Sequence, residues 1–158
     1  MDDGITIRFA TLADVPQLAE FRLALRSQPG VNIESEETFR KRCELWMSEA
    51  LKLPEWRCWV AAKGAVLEGG LWLQLIEKIP NPTPEAERLA YITNFFVNES
   101  LRGRGLGSRI LDEALDFCRR ENVHSVVLWP TERSRPLYQR YGFNVPQGLF
   151  ELKLLSSE

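Results

Sequence analysis

The sequence predicts a mixed α/β (α+β) domain, a mostly antiparallel twisted sheet flanked by helices, spanning residues 1–158 as one unit. Three observations lead there. Strand-like and helical runs alternate in the order β-α-α-β-β-β-α-β-α-β, with hairpins early and a crossover late. One long strand-like run, Leu89–Val97, passes through glycines directly into a strongly amphipathic stretch. And 158 residues suffice for one domain that buries roughly two-thirds of its unfolded surface, without a disulfide or metal staple.

Ile5–Phe9 alternates apolar and polar, a first strand. Thr11 stands three positions before Asp14, which predicts a capping box opening a helix through Val15, Leu18, Ala19, Arg22 and Leu25. Pro29-Gly30 ends that helix. Ser35 is placed to cap a second one, with Phe39, Cys43, Trp46, Met47 and Ala50 on its apolar face and Pro54 as its stop. Arg57–Ala62 and Leu67–Ile76 read as strands joined by a turn at Gly64. Residues 77–88 form a Pro-rich charged loop, since prolines at 80, 82 and 84 forbid helix or central strand. Leu89–Val97 is nearly unbroken in apolar character and predicts a strand buried on both faces. A helix over 108–122 follows, with Ile110, Leu111, Ala114, Leu115, Phe117 and Cys118 as its stripe. His124–Trp129 reads as a strand, Ser134–Tyr141 as a short helix stopped by Gly142, and Gly148–Leu155 as a closing strand.

Composition narrows the function. Hydrophobic residues are 44% and charged residues 27%, which is globular rather than disordered. The net charge of -2 argues against a nucleic-acid binder. No run approaches the ~18 apolar residues of a membrane helix, and no secretory signal is read at the N-terminus, so a cytoplasmic location is the expectation. Three cysteines and one histidine give no metal-ligand spacing and no disulfide framework, so no metal site is expected. Cys43, Cys58 and Cys118 are expected to be small buried apolar groups, and His124 to be structural or partly exposed.

The chemistry-bearing feature is Arg102-Gly103-Arg104-Gly105-Leu106-Gly107. Glycine permits positive φ and close approach of a ligand to the backbone. The helix start that follows offers unpaired N–H groups and a positive dipole end, a site for phosphate. Arg102, Arg104 and Arg109 add cationic side chains at the same place. A nucleotide P-loop does not fit, because no Lys-Ser or Lys-Thr follows the glycines. A dinucleotide fold would place such a loop in its first βαβ unit.

These residues resemble the pyrophosphate motif of the GNAT superfamily, the Gcn5-related N-acetyltransferases: Arg or Gln, two residues, Gly, one residue, then Gly or Ala. Leu137-Tyr138-Gln139-Arg140-Tyr141-Gly142-Phe143 resembles that family's second signature, a Leu-Tyr ahead of a Gly-Phe. The resemblance implies the acyl-CoA N-acyltransferase fold, acetyl-CoA as co-substrate, a primary amine of a small-molecule or peptide acceptor, and direct attack. It implies neither nucleic acid nor membrane as partner, and it leaves a homodimer open. Backbone amides of Arg102, Gly103, Arg104, Gly105, Leu106 and Gly107, with Ser108, would hold the pyrophosphate. Phe95 and Val97 would pair their backbone with the pantetheine arm, and the following parallel strand would splay away to admit it. Thr131 and Ser134 would touch the cofactor, and Arg133 and Arg135 its 3′-phosphate.

Tyr138 would lie near the thioester sulfur, as the acid that protonates the departing thiolate. A phenol of pKa ~10 can serve a thiol near ~8.5. Tyr141 is a weaker candidate, and Tyr91 reads as structural. One departure stands out. Many GNAT members keep an acid on the central strand, whereas this chain has Thr93 and Asn94. Glu77, Glu85, Glu87 and Glu99 are the remaining candidates for a base acting through water. The same gap supports the alternative of a non-catalytic acyl-CoA-binding module. At the acceptor end, Trp46, Trp56, Trp59 and Trp72 are expected in the core, with one or two walling a pocket. Glu77, Glu85 and Glu87 suggest a loop that attracts a cationic amine.

Overall fold

In the computed structural model, which describes residues 3–155, five strands form one sheet in chain order: β1 (Thr6–Phe9), β2 (Trp56–Lys63), β3 (Val66–Glu77), β4 (Arg88–Val97) and β5 (Ser125–Val127). The first four pair antiparallel with their neighbours, and β5 joins β4 in parallel. Four helices complete the fold: α1 (Val15–Arg26), α2 (Glu36–Ala50), α3 (Leu106–Arg120) and α4 (Arg135–Arg140). This is the mixed, mostly antiparallel architecture that the alternating periodicities predict. The chain divides into two compact units between Leu128 and Trp129. The first holds the whole sheet with α1–α3, and the second holds α4 and the C-terminal stretch.

The sheet is sandwiched within the first unit. Val15, Leu18 and Ala19 of α1 and Met47 and Ala50 of α2 bury against Cys58, Val60, Ala62, Leu67 and Trp72. Side chains alternate along a strand, so Leu71 and Leu73 face the other way. There α3 lies across β2, β3 and β4, and its buried Ile110, Leu111, Ala114, Phe117 and Cys118 close the second core. Trp59 belongs to this side, with its ring 5.3 Å from that of Phe117.

The helix signals work as expected. Ser35 Oγ accepts from Thr38 N at 3.1 Å, capping α2. Asp14 accepts from Thr11 N at 2.8 Å and holds a short 3-10 turn (Leu12–Asp14) ahead of α1. Asp14 is buried, and Arg8 donates to both of its oxygens at 2.7 and 3.1 Å. That guanidinium holds the Asp14 carboxyl below the usual carboxylate range.

Two expectations fail. Leu89–Val97 is not buried on both faces: only Ala90 and Ile92 are fully buried. The β5 ladder stops at Tyr91 opposite Val127, so the outer half of β4 lacks strand cover on that side. Residues 148–155 form no strand, and Leu149, Phe150, Leu152, Leu154 and Leu155 are exposed. Their alternating pattern supplies an apolar face but not a hydrogen-bonding neighbour, and the described residues of the second unit contain no other strand to pair with.

Among the described residues, no helix is long and apolar enough to cross a membrane, and no group of three His, Cys, Asp or Glu is placed to hold a metal. Cys58 and Cys118 are buried and Cys43 half-buried; burial pushes the Cys118 thiol up to about 11.

Candidate active site

The loop between β4 and α3 is anchored before it turns. Asn98 N donates to Glu68 O and Asn98 Nδ2 to Glu68 Oε2, both at 2.8 Å. After a 3-10 turn (Glu99–Leu101), Gly103 and Gly105 take φ of 78° and 84°. That left-handed conformation costs an ordinary L-residue about 1–2 kcal/mol. Gly105 caps α3, and the first bond of the helix runs from Arg109 N to Gly105 O at 3.1 Å. The amides of Leu106 and Gly107 therefore lie ahead of the ladder, at the positive end of a 15-residue helix. Nothing lies within 4 Å of a Cβ built on Gly103 or Gly105, so the space over the loop is open. Open space, backbone amides and the positive end of a helix are the features that receive an anion.

The three arginines do not act alike. Arg102 Nε donates to Val97 O at 3.0 Å, and its guanidinium carbon lies 5.8 Å from the centre of the Phe96 ring. It ties the strand end to the loop. Arg109 donates to Asp3 Oδ2 and Ile5 O, both at 2.8 Å, which commits it to the N-terminal segment rather than to the loop mouth. Of these three, Arg104 alone is exposed, and among the described residues no hydrogen bond or ion pair holds its side chain. Spacing brought these side chains together in sequence, but an arginine one helical turn in is free to reach backwards along the sheet.

A second feature went unforeseen. Trp72 stands opposite Thr93 and Gly70 opposite Phe96, so β4 carries one extra residue, a bulge at Asn94-Phe95. Asn94 has φ 54°, a left-handed value unusual for a strand. The partner strand accommodates the bulge with glycine: a Cβ on Gly69 would come within 2.8 Å of Phe96 O. The sequence did carry a signal, because a Gly-Gly pair inside a strand run and an Asn in the facing strand mark bulges and close approach. Phe95 and Val97 lie at and beyond the bulge, on the part of β4 past the β5 ladder.

On the α1/α2 side of the sheet, Trp46, Trp56 and Trp72 form a cluster with ring centres 5.1–6.1 Å apart. Trp72 is only 1% exposed and Trp46 is 50% exposed, so the cluster runs from core to surface. Trp59 is on the opposite face and leaves this group.

In the second unit, Tyr138 is buried, with its ring 5.4 Å from Phe143, and burial pushes its phenol up to about 12. The group is therefore protonated throughout the neutral range. The Thr131 and Ser134 hydroxyls lie 2.9 Å apart, and each also bonds the other residue's backbone. This closed turn precedes α4 and bonds the two side chains to one another. Thr131 Oγ1, which donates once and accepts once in this turn, keeps one lone pair, and Thr131 is exposed.

The acidic loop is similarly engaged. Glu85 pairs with Lys78 at 3.0 Å and with His124 at 3.1 Å, and Glu87 accepts from Asn81 N at 2.9 Å. Glu77 is exposed opposite Arg88, six residues along β4 from Asn94, or about 20 Å of strand. Within the loop Lys78 offsets one of the three carboxylates, and Glu77 stays exposed.

Residues 20–143 match the model of the acetyltransferase (GNAT) family. The chain belongs to that family. Solved GNAT-type structures share its fold: a predicted acetyltransferase with acetyl-CoA from Clostridium acetobutylicum is 23% identical, with TM-score 0.78 over 95% of this chain and 96% of that one. A GCN5-related N-acetyltransferase from Ralstonia eutropha JMP134 is 24% identical, with TM-score 0.77 over 95% and 99%. A glucosamine 6-phosphate N-acetyltransferase from Trypanosoma brucei brucei is 28% identical over 75 residues, which are 48% of this chain. The match spans about half (51%) of that relative's length. The GNAT match takes in both signature segments, the glycine loop and the Tyr138–Phe143 run.

Proposed function

We propose that this chain is an acetyl-CoA-dependent N-acetyltransferase that acetylates the primary amine of a small acceptor. The observation that carries the reading is the pair of left-handed glycines leading β4 into the N-terminus of α3. Membership of the GNAT family supports the transferase class, and the relative named as glucosamine 6-phosphate N-acetyltransferase is consistent with an amine acceptor.

In this reading the backbone amides from Arg102 to Gly107, with Ser108, hold the donor's pyrophosphate, and Arg104 adds the uncommitted positive charge. Backbone of Phe95 and Val97 runs beside the pantetheine, along the half of β4 that β5 leaves uncovered. Val97 O, already bonded to Arg102, would share its lone pairs. The acceptor's neutral amine attacks the thioester carbonyl; a C–N bond forms, the C–S bond breaks and the amine proton passes to water. The family's second signature, which Leu137–Phe143 resembles, would make Tyr138 O–H the proton source for the departing sulfur. At a pKa of about 12 it is a weak acid but always loaded. Thr93 and Asn94 offer no strand base, and Glu77 lies too far along the sheet to replace one. Deprotonation of the amine by solvent is the simplest account.

The test is a titration of acetyl-CoA followed by a thiol-release screen against an amine library. Saturable binding with amine-dependent CoA release supports the enzyme. Binding with no turnover of any amine supports instead a non-catalytic acyl-CoA module, which the lack of an acid on β4 favours. No binding overturns both.

A further inference from the structure

Arg22 of α1 is half-buried, yet among the described residues it has no carboxylate partner. Its hydrogen bond runs from Nη1 to Asn94 Oδ1, long at 3.4 Å. Arg26, one helical turn on, adds a like charge, also without an ion pair among the described residues. Neighbouring cations at i and i+4 disfavour a helix surface, and desolvating a guanidinium without an anion is costly. Burial and the Arg26 charge push Arg22 below its usual range.

Among the described residues, no carboxylate is among the groups that face it: Asn94 reaches it through its oxygen, and Cys43 and Tyr91 lie near. The Asn94 amide must turn its oxygen to the guanidinium, so its NH2 points away, and Asn94 Nδ2 is buried without an acceptor. Trp72 Nε1 is buried without a partner as well. Trp72 stands opposite Thr93 in the β3–β4 register, adjacent to Asn94. Buried donors normally find acceptors. Arg26 also lines a pocket of about 230 Å³, with Leu23, Ile33 and Phe39, between the end of α1 and α2. The two acids bordering that pocket, Glu34 and Glu36, are paired with Arg42 and Arg40.

We propose that Arg22 and the bulged Asn94 form an anion-recognition point in the acceptor site, so that the acceptor amine also carries a carboxylate or a phosphate. The inference rests on the N-acetyltransferase reading, and it reverses the cationic-acceptor expectation drawn from the 77–88 loop. The bulge that turns Asn94 toward α1 is followed directly by Phe95, whose backbone belongs to the donor edge. One irregularity therefore serves both ligands: its Asn94 oxygen holds the Arg22 guanidinium for the acceptor, and it lies on the part of β4 past the β5 ladder, where the donor edge begins. A carboxylate or phosphate accepts from Arg22 in a bidentate manner and supplies the anion that the guanidinium lacks, while Asn94 Oδ1 holds that guanidinium in place.

The experiment compares glycine, L-glutamate and glucosamine 6-phosphate with glycinamide, glucosamine and spermidine, read by thiol release and by fluorescence of the tryptophan cluster. The expected result is a kcat/KM at least tenfold higher for an anionic amine than for its uncharged counterpart. The carboxylate and phosphate arms decide which anion is meant. Arg22→Ala should raise the acceptor KM tenfold or more with the acetyl-CoA KM unchanged, and Arg22→Lys should retain part of the preference. Equal turnover of charged and uncharged amines, or unchanged anion preference in Arg22→Ala and Arg22→Lys, overturns the proposal. If no amine reacts, anion-specific fluorescence quenching that Arg22→Lys weakens still supports the site, and quenching absent in the wild type overturns it. Failure to bind acetyl-CoA would sink the transferase reading alone, since the quenching arm is independent of the donor.

Discussion

Replacing Gly105 with valine isolates the role of the glycine loop. Gly105 has φ 84° and ψ 1°, and a Cβ there meets nothing within 4 Å. Any penalty is therefore conformational rather than steric. A β-branched residue in the left-handed region costs about 2 kcal/mol, or a Tm loss of about 4–8 °C for a chain of this size. Relief of that strain rotates the peptide toward the right-handed region and re-aims the amides of Leu106 and Gly107. Each hydrogen bond to a charged group contributes about 1.5–3 kcal/mol, and every 1.4 kcal/mol is about tenfold in affinity. Loss of one such bond predicts at least a tenfold weaker acetyl-CoA Kd. Gly64→Val is the control: Gly64 has φ 61°, equally open space, and sits in the β2–β3 turn. It should lose similar stability and bind acetyl-CoA normally. Calorimetry on both variants decides. A wild-type Kd in Gly105→Val, with the Tm lowered as in Gly64→Val, would refute the cradle.

Three further outcomes follow from particular contacts. Gly69→Ala puts a Cβ 2.8 Å from Phe96 O and 3.0 Å from Ile110 Cδ1, an overpacking cost of about 1–3 kcal/mol, so thermal melts should show a clear drop that Gly148→Ala, with nothing within 4 Å, does not. Asp14 is held below the usual carboxylate range chiefly by Arg8; a depressed pKa gives stability that is present above the unfolded value of about 4 and lost as pH falls through the folded one. Denaturant titrations should then find Asp14→Asn less stable by about 2 kcal/mol near neutrality, with the gap closing as pH falls below the ordinary carboxylate range; a gap constant with pH would be wrong for this pair. Tyr138→Phe should lower kcat by about 100-fold or more if the phenol protonates the leaving sulfur, with the acetyl-CoA Kd little changed; a kcat within threefold of wild type removes Tyr138 as the acid.

The sheet and helices were legible because their patterns are local. The 3.6-residue stripe of α3, the Ser35 cap and the proline stops each act within a turn or two of chain. What sequence could not show depended on partners far away. The alternation in 148–155 gave no hint that a pairing strand is missing. The commitment of Arg109 to Asp3 and Ile5 spans over a hundred positions. The turn in which the Thr131 and Ser134 hydroxyls bond each other was not legible in the sequence, because two hydroxyls three positions apart carry no mark of which partner they take. The bulge at Asn94 was half-legible: Gly69-Gly70 marked an irregularity, but which strand holds the extra residue is settled by register alone. The glycine loop was read correctly in shape, while its charge proved narrower, with Arg104 as the single uncommitted arginine of the three.

The central claim concerns chemistry at an amine, so the most direct measurement is mass spectrometry of the acceptor after incubation with isotopically labelled acetyl-CoA. The account predicts a labelled acetyl group on the amine nitrogen, formed one-for-one with released CoA. CoA release without a labelled acceptor would contradict it, as would saturable acetyl-CoA binding that transfers nothing across the amine library.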